Sequence, residues 1–294
     1  MNEFLDVQAG ERAPQRLRRK ALDLADDAFA RLDAMSAGDP RALHDVRRRL
    51  KELRAMASLL GQPDVTFFGD AGRVLSPYRD AKAAVEAFDR LRDRFATEWT
   101  PRQFQSIRRT LVQGCAENVD ATIVKDLRAA LFVERGRIAA WPVDEMKRDE
   151  LWGAIRRSYR RARRAMRAAR QELSAETLHE WRKRVKIHWY HAQFFSEVNI
   201  ATLDTESLRR LSRRLGDHHD LVIVNSLCAT APDVFRRCVA MRLRELEVEA
   251  LTMGREVFAT RARNWEVRVR LTASPADARV RVRPAKSPEH FSSY

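Results

Sequence analysis

From Pro14 the apolar positions Leu17, Ala21, Leu24, Ala28, Leu32 and Met35 recur at steps of three and four, the spacing that lines one side of a helix. This predicts a first helix over 14–35. Gly38, Asp39 and Pro40 interrupt the pattern, and Leu43, Val46, Leu50, Leu53, Ala57 and Leu60 resume it over 41–60, before Gly61-Gln62-Pro63 stops it. The two runs predict a helical hairpin. Further helical patterns cover 65–76, 78–96, 101–117 and 119–140. The sequence then starts afresh, with helices predicted over 144–172, 175–198, 203–216, 218–229 and from Pro232 to Ala262. Only Trp265-Glu-Val-Arg-Val-Arg-Leu271 alternates apolar and charged residues as an edge strand or extended tail does. From Ser274 the chain is poor in large apolar residues and holds three prolines, which reads as a basic, weakly ordered extension.

Composition agrees with helix. Gly and Pro number 10 each in 294 residues, and Ala, Leu and Arg, which lose little rotamer freedom in a helix, are abundant. The expected fold class is therefore all-α. Cys115, Cys228 and Cys238 are odd in number and widely spaced, which supports neither a disulfide framework nor a paired zinc site. No apolar stretch approaches the length of a membrane span, and the amino terminus lacks the basic and apolar regions of a signal peptide, so a cytoplasmic protein is expected.

Charge narrows the partner. Lys and Arg total 56 against 41 Asp and Glu, a net charge of +15, which concentrates polyanions around the chain. Nucleic acid, anionic membrane and polyphosphate all carry the complementary charge.

An internal repeat sharpens this. Leu43-His-Asp-Val-Arg-Arg-Arg-Leu-Lys51 lies over Leu178-His-Glu-Trp-Arg-Lys-Arg-Val-Lys186 with acid on acid, base on base and apolar on apolar, at an offset of 135. Leu75-Ser-Pro-Tyr-Arg-Asp80 lies over Leu215-Gly-Asp-His-His-Asp220 at an offset of 140. A tandem duplication of a helical unit is expected. On a helix, His44, Arg47, Arg48, Lys51 and Arg54 share a side, and His179, Arg182, Lys183 and Lys186 repeat the arrangement, while Val46, Leu50, Leu53, Trp181 and Val185 turn to a core. Like charges in a row repel, and phosphate groups offset the repulsion through charge-assisted hydrogen bonds. The preceding helix adds eight arginines in 156–170, among them Arg156, Arg160 and Arg163, read either as a solvated face or as an extension of the basic stripe. Arg19, with Arg16 and Lys20, offers a weaker version in the first half.

A His-x-x-Arg row opening a helix, repeated in a second half, with Leu-x-x-x-Arg-Asp or Leu-Gly-x-x-His-Asp downstream, resembles the CHAD family of conserved-histidine α-helical domains. The resemblance runs over about 10–265, with a first half at 10–142, a second at 143–265 and a basic tail at 266–294. It implies two similar four-helix bundles around a pseudo-twofold axis, and a basic central surface that binds inorganic polyphosphate and places such proteins on polyphosphate granules. Carried over to this chain, it assigns binding to His44, Arg47, Lys51, Arg54, His179, Arg182, Lys183 and Lys186, with Arg79 and His219 at matching places before Asp80 and Asp220. Glu52 in the first row, and Ile187 with His188 in the second, depart from the family pattern.

Blander readings stand beside these. A lone histidine usually packs in a helix interface, but His44 and His179 recur beside arginine and are expected to donate to phosphate. Asp80 and Asp220 read as helix N-caps. Glu245, Glu247 and Glu249 fall in a helical pattern where residues two apart diverge, so they read as helix surface. No phosphate-binding Gly-rich loop, serine elbow or His-Glu-x-x-His motif occurs. The expectation is a non-enzymatic module without cofactor or metal. The rivals are a general polyanion or nucleic-acid binder and a phosphohydrolase acting on polyphosphate.

Overall fold

The computed structural model describes residues 11–39, 41–63, 66–113, 119–228 and 231–273. These residues form helices and connections and contain no strand. In chain order the helices are α1 (Ala13–Ser36), α2 (Ala42–Leu59), α3 (Thr66–Val74), α4 (Ser76–Arg94), α5 (Pro101–Gln113), α6 (Ala121–Ala139), α7 (Arg148–Gln171), α8 (Ala175–Glu197), α9 (Thr205–Leu227), α10 (Asp233–Val257) and α11 (Ala262–Thr272). Cys115 and the expected extension from Ser274 onward lie outside the described residues.

Two hairpins frame the molecule, α1 against α2 and α7 against α8. The apolar stripe of α1 that the spacing predicts is buried, from Leu17 to Leu32, and faces Val46, Leu50 and Leu53 of α2 in one core cluster. That cluster also takes in Leu151, Trp152, Tyr190 and Phe194 from α7 and α8. A second cluster joins Phe88 and Leu91 of α4 to Leu221, Val224 and Phe235 of α9 and α10. The apolar faces of the two hairpin regions are thus buried together. Between the two sequence halves, α2 packs on α8 and α4 on α9.

Trp181 anchors the third cluster and is fully buried. It passes so close to α10 that a Cβ on Gly254 would lie 2.5 Å from its ring, so only glycine fits there.

Two predicted elements differ. The break predicted at 216–218 is absent, because α9 runs unbroken through Gly216 and Asp217. Its counterpart does break, at Leu75 between α3 and α4, because Pro77 has no N–H to bond residue 73 and its ring crowds that carbonyl. Gly216 and Asp217 keep their N–H groups, so the helix continues. The predicted strand or tail at 265–271 is instead the core of α11. A strand needs a neighbour to pair its backbone, whereas a helix satisfies its own. As a helix, the segment stacks Trp265 on Tyr159 at 4.4 Å and sets Arg270 over the Trp152 ring at 4.9 Å.

Candidate polyanion channel

The repeated rows meet where α2 and α8 pack, with α4 and α9 below them. Lys51, Arg182 and Lys186 gather here, and none has a carboxylate partner among the described residues. Burial pushes the Lys51 ammonium down to about 7, with Arg47, Arg182, Arg79 and Lys186 adding repulsion. Burial also lowers Lys186 to about 8, helped by Arg182 and opposed by Glu52. Arg182 and Arg47 are depressed as well, each chiefly by desolvation. Among the described residues the attraction of Asp220, Asp80 and Glu52 does not offset the burial and mutual repulsion of these groups. Lys186 rests its ammonium 4.2 Å over the Trp189 ring and 5.1 Å from Tyr190, which fixes the side chain without cancelling its charge.

Acids do approach this cluster, but they serve arginines. Arg79 of α4 reaches across to Asp220 of α9 with two hydrogen bonds, at 2.9 and 3.3 Å, and touches its neighbour Asp80 at 3.3 Å. The expected N-cap roles of Asp80 and Asp220 are therefore corrected. Both sit inside helices whose N–H groups are already bonded, and Asp220 is a buried acceptor for a guanidinium. Glu52 of the first row pairs with Arg49 at 2.7 Å and Arg48 at 3.9 Å, so it dilutes the basic surface at the Lys186 end.

The three histidines occupy two different settings. His179 and His219 meet Nδ1 to Nδ1 at 3.1 Å, so one ring donates its N–H to the lone pair of the other. Burial drives His219 down to about 4, and Arg182 and His179 push it the same way; His179 is lowered too, first by desolvation. His44 is exposed, and its pKa is lowered by desolvation, with Arg79, Lys51 and Arg48 acting the same way against Asp45. The pairing of His179 with His219 escapes the sequence, where 40 residues separate them.

Arg47 stands close enough to repel Lys51 but spends its head group on other partners, and the remaining predicted residues are held elsewhere. The Arg47 head turns inward and donates to the Gly72 carbonyl and, at 3.0 Å, to Ser76 Oγ, which pins the break between α3 and α4. Arg54 folds over Gly69 of α3. Lys183 pairs with Glu180 at 2.6 Å, and Arg19 with Glu11. On α7, Arg156 pairs with Glu266 of α11 at 2.8 Å and Arg163 donates to the Phe258 carbonyl at 2.9 Å, where it caps α10; Arg160 stays exposed. Glu245, Glu247 and Glu249 lie on α10, where Glu245 and Glu249 share Arg242 and Glu247 pairs with Arg244, as helix-surface residues do. Among the described residues no group of three His, Cys, Asp or Glu side chains is placed to hold a metal ion, and no helix is long and apolar enough to cross a membrane.

No curated protein and no solved structure matches the chain. The profile of the CHAD domain matches residues 21–229, a stretch that includes both histidine-headed rows, Arg79 and His219, and on that match the chain belongs to the CHAD domain family.

Proposed function

We propose that the protein binds inorganic polyphosphate, without catalysis, along the channel between α2 and α8. The observation that carries this reading is that Lys51, Arg182 and Lys186 are crowded together and, among the described residues, lack carboxylate partners. A chain of phosphates supplies a negative charge at each unit and offsets that crowding through charge-assisted hydrogen bonds. Membership of a family associated with polyphosphate binding supports the assignment. Arg48, His44 and the His179–His219 pair are the further contacts, and Arg79, held by Asp220, sets the channel floor.

A tandem duplication, with halves at 10–142 and 143–265 built as four-helix bundles about a pseudo-twofold axis, accounts for the pairing of α2 with α8 and of α4 with α9. In such a duplication equivalent elements meet at the axis, and the two basic rows come side by side there. A long polyanion bound in the channel leaves most of its length free, which suits residence on polyphosphate granules in the cytoplasm.

Nucleic acid is the main alternative. Single-strand binders stack bases on accessible rings, whereas here Trp181 and Tyr190 are buried and Trp189 lies under Lys186. A hydrolase acting on polyphosphate needs a free base or carboxylate near the phosphate, and Asp220 is committed to Arg79. The test is binding of labelled long-chain polyphosphate, competed by single-stranded DNA of equal charge, to the parent and to Lys51→Ala/Arg182→Ala/Lys186→Ala. Polyphosphate binding that resists DNA and is lost in the variant supports the reading. Equal competition by DNA makes the protein a general polyanion binder.

A further inference from the structure

A cavity of about 240 Å³ opens between the C-terminal end of α2 and the facing sides of α7 and α8, lined by Ser58, Gln62, Arg157, Arg161, Arg184 and His191 among others. It is separate from the channel. Arg184 lies two residues from both Arg182 and Lys186, which turns it roughly 200° around α8 from each. Arg157 and Arg161 stand one turn apart on α7, and neither has a carboxylate partner among the described residues. Arg184 commits its Nε to Glu180 at 2.6 Å and keeps its terminal nitrogens. Three guanidinium groups therefore border one small space.

His191 adds a second and different demand. Its ring is 1 % exposed, and its Nε2 lies 2.9 Å from the Ala55 carbonyl oxygen. A carbonyl only accepts, so Nε2 carries the proton and Nδ1 is left with a lone pair. That Nδ1 is buried and has no hydrogen-bond partner among the described residues. Burial, with Arg157 and Arg161 acting in the same direction against the Ala55 bond, holds the ring down to about 4, so the lone pair persists at neutral pH. A buried acceptor left without a donor is costly.

The guanidinium groups call for an anion and Nδ1 calls for a donor. Sulfate, and the internal phosphates of a polyphosphate chain, are anions with no proton to give at neutral pH. Hydrogen phosphate is an anion that keeps a P–O–H. We propose that this cavity is a second anion site that takes one protonated phosphate group, either free orthophosphate or the terminal group of a phosphate chain. The arginines hold its oxygens and its P–O–H donates to His191 Nδ1.

The test is calorimetric titration of the full chain carrying Lys51→Ala/Arg182→Ala/Lys186→Ala, which removes the channel contacts and leaves the cavity to be read alone. At neutral pH, orthophosphate is expected to bind once per chain and about tenfold more tightly than sulfate, the difference that one hydrogen bond to a charged group supplies. Charge alone gives sulfate no disadvantage, so a phosphate preference reports the donor. Adding Arg157→Ala/Arg161→Ala, both at exposed positions, is expected to abolish binding. Tripolyphosphate titrated into the same background separates the sources: tighter binding than orthophosphate assigns the cavity to chain ends, and weaker binding assigns it to the free ion. Equal affinity for sulfate and orthophosphate, or binding that survives Arg157→Ala/Arg161→Ala, overturns the proposal. Long-chain polyphosphate binding to the parent tests the channel separately, so failure of either reading is visible without the other.

Discussion

The cluster between α2 and α8 and the flank formed by α4, α9 and α10 are both rich in basic side chains, yet their charges are treated in opposite ways. On the flank each of several arginines meets an acid. Arg94 reaches Glu245 at 3.1 Å, Arg242 bridges Glu245 and Glu249 at 2.6 and 3.1 Å, Arg214 meets Glu249 at 2.7 Å, and Arg90 meets Asp217 at 3.7 Å. In the α2–α8 cluster Lys51, Arg182 and Lys186 have one another instead, and burial depresses both lysines. A net charge of +15 is silent on this difference. What distinguishes a binding surface from a solvated one is whether the acids that fold beside it are already used.

The largest effect expected of that contrast is on binding. Arg182→Ala combined with Lys186→Ala removes two charge-assisted contacts and should weaken polyphosphate binding about a hundredfold, measured by fluorescence anisotropy. Next comes the frame that brings α8 under α10. Gly254→Ala places a methyl group 2.5 Å from Trp181, and overpacking of this kind should cost about 1–3 kcal/mol in urea unfolding.

The pH dependence sharpens the comparison further. Lys51 and Lys186 have folded values of about 7 and about 8, below the free lysine value, so between those values and the free value the unfolded chain binds more protons than the folded one. Stability of the ligand-free protein should therefore rise with pH from about 7 toward 10. Burial raises Tyr159 to about 12 and raises Tyr190 as well, so the gain should end where the tyrosines of the unfolded chain begin to ionise. Lys51→Met should flatten the rise in thermal unfolding at low salt. A bound polyanion favours the ammonium forms, so binding near pH 8 should take up protons, which calorimetry in buffers of different ionisation enthalpy will register. The smallest effect belongs to the flank: Arg242→Ala, at about 0.15 M salt, should change polyphosphate affinity less than about twofold.

The hairpins α1–α2 and α7–α8 were legible because their apolar spacing is regular and Gly or Pro marks several of the ends. The rows headed by His44 and His179 were legible because they repeat. Three features were not, and each depends on a partner distant in sequence. Asp220 resembles a cap locally, but α9 continues past it and Arg79, 141 residues away, claims the carboxylate. The alternation at 265–271 has no strand to pair with among the described residues, and Tyr159 and Trp152 of α7 receive it as a helix. The arginines of α7 look uniform in sequence, yet Arg163 caps α10, Arg156 pairs with α11, and Arg157 and Arg161 face a cavity.

The most direct test sets the two regions against each other. Lys51→Ala/Arg182→Ala/Lys186→Ala and Arg90→Ala/Arg94→Ala/Arg242→Ala each remove three basic side chains, one set from the proposed channel and one from the flank. Titrated with long-chain polyphosphate at one salt concentration, the channel variant is predicted to lose binding and the flank variant to stay close to the parent. Equal losses in the two would mean that net charge alone attracts the polymer, and would contradict the channel.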